Sequence, residues 1–142
     1  MPVFDRFEPT RQSGIPAGGW LVEARDTAVL ALLARHGVTV RSVGAARTLD
    51  VERFEVDSVD RLEHMFQGHR EVKVIGRWLR VRMLSSADWR WVPPTQRQLL
   101  VAAQILEPQS NDGATTWNLF DDRLSLAKFH PVMRVITRGG AR

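Results

Sequence analysis

The stretches LDVERFEVDSV, residues 49–59, and EVKVIGRWLRVRML, residues 71–84, decide the fold of this 142-residue chain. Valine and aromatic residues alternate with charged residues in both stretches, and this alternation is typical of half-buried β-strands. The apolar phase shifts between Val51 and Phe54 in the first stretch and around Gly76 in the second. Each shift predicts a β-bulge or a tight turn, because an extra residue reverses which side chains face the core.

The two segments carry opposite charges. Residues 50–63 hold six acids and two arginines, whereas residues 70–97 hold seven bases and two acids. We expect the strands to pair side by side, so that their charges face each other across the sheet. A nucleic-acid-binding face is the alternative, because the net charge is +4 and 18 of the 20 basic residues are arginine. Strand pairing explains the charge pattern better, which disfavours a nucleic-acid partner.

The segment before these strands predicts a strand, a helix and another strand. Residues 20–24 suit a short strand, and Asp26 then suits the N-cap of a helix over residues 27–36. Gly37 should end this helix in the left-handed conformation, with Val38 folding back onto Leu33. A strand over residues 38–43 should follow.

The segment after them predicts a second helix and a final strand. In WRWVPPTQRQLLVAAQIL, residues 89–106, the two prolines should end a strand, and Thr95 with Gln98 fits a capping box that opens a helix. HPVMRVIT, residues 130–137, suits the last strand. The order predicts an α+β fold, with a mostly antiparallel sheet and two main helices in a single domain over residues 16–137. Residues 1–15 predict an arm or linker, and residues 138–142 predict a flexible tail.

Composition limits the classes of protein and site. The chain is 44% hydrophobic and 25% charged, which is typical of a soluble globular domain. No apolar run reaches the roughly 20 residues of a membrane span, and the N-terminus has no signal-peptide segment. The absence of cysteine excludes disulfides, thiolate nucleophiles and cysteine-ligated zinc. Both a cytoplasmic location and secretion as part of a longer protein stay open.

Two weak motifs suggest chemistry. His64 and His69 lie five positions apart in LEHMFQGHRE, so they do not share one helical face, and we expect structural residues and no metal or cofactor. Ser85, Ser86 and Asp88 would need a distant histidine to form a hydrolytic triad, and we interpret them as turn formers. An enzyme with an unrecognised hydrolytic site remains an alternative.

The tryptophans suggest an interaction surface. Aromatic faces bind apolar rings and arginines supply polar contacts, so a peptide or a glycan is a candidate ligand. Core packing is the alternative, since Trp89 and Trp91 alternate as core residues on one strand do. The candidate surface consists of Trp78, Arg80, Arg82, Trp89 and Trp91.

The acidic stretch LEPQSNDGATTWNLFDD, residues 106–122, predicts a structural turn. Asn111, Asp112 and Gly113 are strong turn formers, and Asp112 should accept local backbone bonds. Trp117 and Phe120 should then return to the core. An acid/base pair is disfavoured, because no partner base or nucleophile is evident.

These motifs carry a resemblance. WVPPTQ, then ILEPQSNDGATTWNLFDD and PVMR, resemble the C-terminal region of bacterial zinc carboxypeptidases of the carboxypeptidase A superfamily, where a VPT-Q run and LLEPES-DG-WNFFD precede PV-R. AGGWLVEA, ARHGV and FQGHREVKV extend the resemblance from about residue 16 to residue 135. Arg97 departs from the family's proline. The resemblance implies structural roles for Gly68, His69, Gln96, Glu107, Pro108, Asp112, Trp117 and Asp121.

The resemblance also implies a function. In that family, an HxxE pair, a later histidine and a general-base glutamate lie in an upstream catalytic domain, and this chain has no such set. We therefore expect a non-catalytic C-terminal domain, or a stand-alone relative, that supports or gates a peptidase domain or binds peptide or glycan.

Overall fold

A computed structural model describes residues 15–66, 69–124 and 128–136. Their fold is α+β, as predicted, with an antiparallel six-stranded sheet in the order β2-β5-β1-β6-β3-β4. The elements along the chain are β1 (Trp20–Glu23), α1 (Thr27–Arg35), β2 (Arg41–Ser42), β3 (Thr48–Phe66), β4 (His69–Leu84), β5 (Trp89–Val92), α2 (Leu99–Leu106), α3 (Asp121–Leu124) and β6 (Phe129–Val135). None of the described helices is long and apolar enough to cross a membrane. Residues 1–14 of the predicted arm over residues 1–15, and the predicted tail over residues 138–142, lie outside the described residues.

The oppositely charged segments pair, as predicted. Asp50 lies opposite Arg82, and Glu55 lies opposite Arg77. Both pairs form salt bridges of 3.3 Å with exposed arginines. Exposed pairs of this kind contribute only about 0 to 1 kcal/mol each, so they select the strand register more than they stabilise the fold.

The predicted phase shifts correspond to irregularities in the sheet. The register of β3 and β4 shifts between Val56 and Ser58, directly opposite Gly76, and the register of β3 and β6 shifts between Arg53 and Glu55. A Cβ atom at Gly76 would lie 1.9 Å from the Glu55 carbonyl oxygen. The close approach of two backbones at this bulge therefore requires glycine.

Helix α1 ends as predicted but begins differently. Gly37 has a φ of 72°, and the Val38 N–H donates to the Leu33 carbonyl over 3.0 Å, which is the expected C-terminal motif. Asp26 stands at the N-cap position without capping the helix. Its carboxylate accepts instead from Arg123 Nη1, over 2.6 Å to each oxygen.

Two predicted boundaries were wrong. The strand expected over residues 38–43 pairs only at Arg41–Ser42. The second helix begins at Leu99 and has no side-chain cap, so the predicted capping box of Thr95 and Gln98 is absent. The Gln96 side chain binds the Thr39 backbone twice, accepting its N–H over 2.8 Å and donating to its carbonyl over 3.2 Å. These long-range bonds hold residues 95–98 in a turn.

The sheet separates two apolar clusters. The larger lies on the helix-covered face, where Trp20, Phe54 and Phe120 are at most 1% exposed and all three described helices contribute side chains. The smaller lies on the other face and contains no residue from the described helices. We call that side of the sheet the helix-free face. The described helices therefore cover one face of the sheet and leave the other uncovered.

Candidate functional site

The helix-free face is the best candidate for an interaction site. Its cluster consists of the buried residues Leu21, Val43, Leu49, Val51, Met133 and Val135 and the half-buried residues Val81, Met83, Trp89 and Trp91. Trp91 lies opposite Leu21 in the sheet, and its indole Nε1 donates to the Gly18 carbonyl over 2.7 Å. This bond fixes the ring orientation while leaving part of the ring exposed.

A small pocket opens on this face beside Trp91. Its volume is about 70 Å³, and it is lined by Leu21, Val43, Arg47, Leu49, Trp91 and Val135. The Ser85 hydroxyl accepts from the Arg47 N–H over 3.0 Å, and the Ser85 N–H donates to the Arg47 carbonyl over 2.8 Å. Ser85 thus holds the rim of the pocket in place. The site combines an apolar floor with one exposed guanidinium at its rim.

The rest of the predicted interaction surface lies elsewhere. Trp78 packs on the helix-covered face, edge to face with Phe54 at 5.2 Å between ring centroids. The Arg134 guanidinium lies 3.8 Å from the Trp78 ring centroid. Arg80 and Arg82 share that side of β4 with Trp78, because strand residues alternate between faces. The five predicted residues are thus divided between two faces: Trp89 and Trp91 lie on the helix-free face, and Trp91 alone among the five lines the pocket.

Glu107, from the acidic stretch over residues 106–122, lies within the fold. It is only 9% exposed, and its Oε1 accepts from Trp20 Nε1 over 2.9 Å and from Arg134 Nε over 3.0 Å. Arg134 Nη2 binds the second oxygen. Pro108 is buried beside it. The carboxylate joins the end of α2 to the central strands β1 and β6, and this is a structural role.

The turn over residues 107–120 also uses its motif residues structurally. Asp112 accepts from Trp117 Nε1, and Asp121, which begins α3 directly after the turn, accepts from Arg61 over 2.8 Å. Phe120 is 1% exposed, as predicted. The prediction that Trp117 returns to the core was wrong, because its side chain is 38% exposed. Its bond to Asp112 fixes the indole at the surface of the turn.

His130 is a buried polar residue that sequence reasoning missed. Its Nδ1 accepts from the Val132 N–H over 3.1 Å, so the ring proton lies on Nε2, which donates to the Thr115 hydroxyl over 2.7 Å. Burial lowers the pKa of His130 to about 3, and the charge of Arg123 acts in the same direction. Protonation of Nδ1 would also direct its N–H at the Val132 N–H, so that two donors would face each other. The only sequence signal was its position on a core-facing strand.

A second group of charges lies at the start of α1. Arg123 binds both Asp26 and Glu23. Burial raises the pKa of Asp26 to about 6, against the effect of Arg25. Burial likewise lowers the pKa of Arg123. These groups join α3 to the β1–α1 connection.

The remaining candidates have simple placements. Ser86 and Asp88 form a local turn, in which the Ser86 hydroxyl accepts from the Asp88 N–H over 3.2 Å. Gly68 and the side chains of His64 and His69 lie outside the described residues, so the prediction that the histidines bind no metal stays a prediction. Within the described part of the chain, no group of three or more histidine, aspartate or glutamate residues could hold a metal ion.

Comparisons with protein-family models, with curated proteins and with solved structures found no match to this chain.

Proposed function

We propose that this chain is a non-catalytic accessory domain that binds a peptidase domain through the pocket on its helix-free face. An apolar pocket lies beside Trp91, on the side of the sheet that no described helix covers, and it supports this proposal. Apolar concave sites with a fixed aromatic ring and one polar group at the rim suit a side chain from a partner. The peptidase partner comes from the sequence resemblance to the C-terminal region of zinc carboxypeptidases.

The hydrogen bonds of Glu107 support a structural role for the motif that resembles that of the carboxypeptidases. A carboxylate that acts as a general base or a metal ligand needs a lone pair directed at the substrate or the metal. Glu107 is buried, and three donors from Trp20 and Arg134 bind its two oxygens. What this chain shares with the carboxypeptidases is then a scaffold, and a scaffold is expected to act through its surface.

A binding experiment tests the proposal. The probe is the catalytic domain of a bacterial zinc carboxypeptidase that carries the same C-terminal motif, prepared without that region. Titration calorimetry of this chain into the probe should give saturable binding. Trp91→Ala should weaken the affinity at least about tenfold, or about 1.4 kcal/mol, because the pocket loses its aromatic wall. Absence of binding by the native chain would refute the proposal.

Two further variants make the result specific. Leu100→Ala removes an apolar side chain that is 75% exposed on α2, and it should leave the affinity unchanged. Arg47→Glu reverses the charge at the rim without removing the backbone bonds to Ser85, and it should weaken binding in a folded protein. Equal affinity of the native, Trp91→Ala and Arg47→Glu proteins would place the interface elsewhere.

An activity assay tests the alternative that the chain is itself an enzyme. We expect the pure chain to release no C-terminal amino acids from peptides. Zinc-dependent release that a chelator abolishes would contradict the accessory role, whatever the binding experiment shows.

A further inference from the structure

The two edges of the sheet differ greatly in length. The edge strand β2 has two residues, whereas the opposite edge strand β4 has sixteen. Natural sheets protect their edges with short strands, charges or covering segments, because an open edge pairs with other extended chains. A long edge strand therefore raises the question of what covers it.

The turn over residues 107–120 covers the first part of the β4 edge. Asn118 donates to the Arg70 carbonyl over 2.9 Å, and Gln109 donates to the Val74 carbonyl over 3.2 Å. Between them, the Val72 N–H donates to the Thr116 carbonyl over 3.4 Å. The edge is thus closed as far as Val74.

The edge beyond Val74 is open. The backbone groups of an antiparallel strand point alternately toward and away from the partner strand. The backbone groups of residues 70, 72 and 74 point away from β3. Because the direction alternates along the strand, the backbone groups of Trp78, Arg80 and Arg82 also point away from β3. Within the described part of the chain, β3 is the only strand paired with β4, and no hydrogen bond reaches the backbone of these three residues. They offer a ready-made template for one more strand.

The side chains of this open edge specify the chemistry of an added strand. Arg80 and Arg82 are exposed on one side of β4. Arg80 lies opposite Glu52, but Glu52 contacts Arg134 at 3.8 Å, so Arg80 has no carboxylate partner among the described residues. The other side of the edge carries the half-buried apolar residues Leu79, Val81 and Met83.

We propose that an extended segment with alternating acidic and apolar residues adds to β4 at residues 76–84. Its acids would face Arg80 and Arg82, and its apolar side chains would extend the helix-free face next to Val81 and Met83. A second copy of this chain is a poor occupant, because antiparallel pairing of two β4 strands places arginines against arginines. This inference does not depend on the proposed peptidase partner.

The test uses a labelled heptapeptide of alternating valine and glutamate, with a matched peptide in which lysine replaces each glutamate. Fluorescence anisotropy should show saturable binding of the glutamate peptide and at least about tenfold weaker binding of the lysine peptide at low salt. N-methylation of alternate peptide bonds on the pairing edge should abolish binding. In amide exchange, the bound peptide should protect the N–H groups of Trp78, Arg80 and Arg82.

Charge reversal provides the matched variants. The double variant Arg80→Glu, Arg82→Glu should lose affinity for the glutamate peptide and gain affinity for the lysine peptide. Arg35→Glu with Arg97→Glu changes the net charge equally at exposed positions outside β4, and it should alter neither affinity beyond about twofold. Equal effects of the two double variants, binding of the N-methylated peptide, or self-association that excludes the peptide would each overturn the proposal.

Discussion

The helix-covered and helix-free faces of one sheet differ in how completely they bury their aromatic rings. On the helix-covered face, Trp20, Phe54 and Phe120 are almost completely buried. On the helix-free face, the large rings of Trp89 and Trp91 stay half-buried, and Trp91 lines the pocket. Complete burial of large rings contributes most of the stability, whereas a half-buried ring keeps apolar surface for a partner. The completely buried rings therefore lie on the helix-covered face, whereas the helix-free face keeps part of its ring surface exposed.

Truncating a ring on the helix-covered face should have the largest effect. Phe120→Ala should lower the free energy of unfolding by about 3 to 5 kcal/mol, because it leaves a cavity beside His130. Chemical denaturation measures the loss. Leu119→Ala, next to it and 37% exposed, is the control and should have a much smaller effect. Equal losses for the two variants would contradict the assignment of stability to this face.

Removing the buried carboxylate of the same face should have the next largest effect. Glu107→Leu should cost about 3 kcal/mol, since it leaves the largely buried Arg134 without its main partner. Asp50→Asn removes a carboxylate from an exposed pair and should cost under about 1 kcal/mol. Similar urea midpoints for the two variants would show that the buried pair of Glu107 and Arg134 stabilises the fold no more than the exposed pair does.

The buried histidine should make the stability of this face depend on pH. The pKa of His130 is lowered from 6.5 to about 3, so only the unfolded chain takes up this proton between those values. The contribution of the neutral His130 to the free energy of unfolding is complete above about pH 6.5. Below that pH, it falls by about 1.4 kcal/mol per pH unit.

The difference in melting temperature between native protein and His130→Gln, followed from pH 7 to pH 4.5, isolates this contribution. The difference should shrink by the equivalent of roughly 2 to 3 kcal/mol of unfolding free energy as the pH falls. The native protein alone is not sufficient, because the raised pKa of Asp26 favours folding as the pH falls toward 4. A constant difference would mean that His130 is protonated in the folded protein.

Of the two ring truncations, the one on the helix-free face should cause the smaller loss of stability. Trp91→Ala should cost about 1 to 2 kcal/mol, because its ring is only half-buried and the sheet backbone remains paired. Thermal unfolding of the purified variant provides the measurement. A loss as large as that of Phe120→Ala would remove the distinction between the faces and would also explain any loss of binding as unfolding.

The features predicted correctly from the sequence depend on neighbouring residues. The pairing of β3 with β4, the bulge opposite Gly76 and the end of α1 at Gly37 follow from local patterns of charge, phase and glycine. The start of α2 was wrong because Gln96 binds Thr39, which lies 57 positions away. Asp26 likewise binds Arg123, 97 positions away, and does not cap its helix.

The candidate site was predicted only in part, for the same reason. Periodicity placed Trp89 and Trp91 on one side of a strand but could not relate that side to Trp78, which belongs to another strand. The exposure of Trp117 depends on its bond to Asp112 within an irregular turn. The pocket itself needs Arg47 and Val135, which come from distant parts of the chain, so no local pattern predicts it.

The strand order constrains the sequence of events during folding. The hairpin of β3 and β4 is close in sequence and can form early, since closing a short loop costs little entropy. Strand β6 follows the other five along the chain, yet it lies between β1 and β3. The group of β2, β5 and β1 therefore cannot join the hairpin until β6 inserts between them. During synthesis on the ribosome, the edges of β1 and β3 that pair with β6 therefore stay unpaired with it until residues 129–135 have emerged.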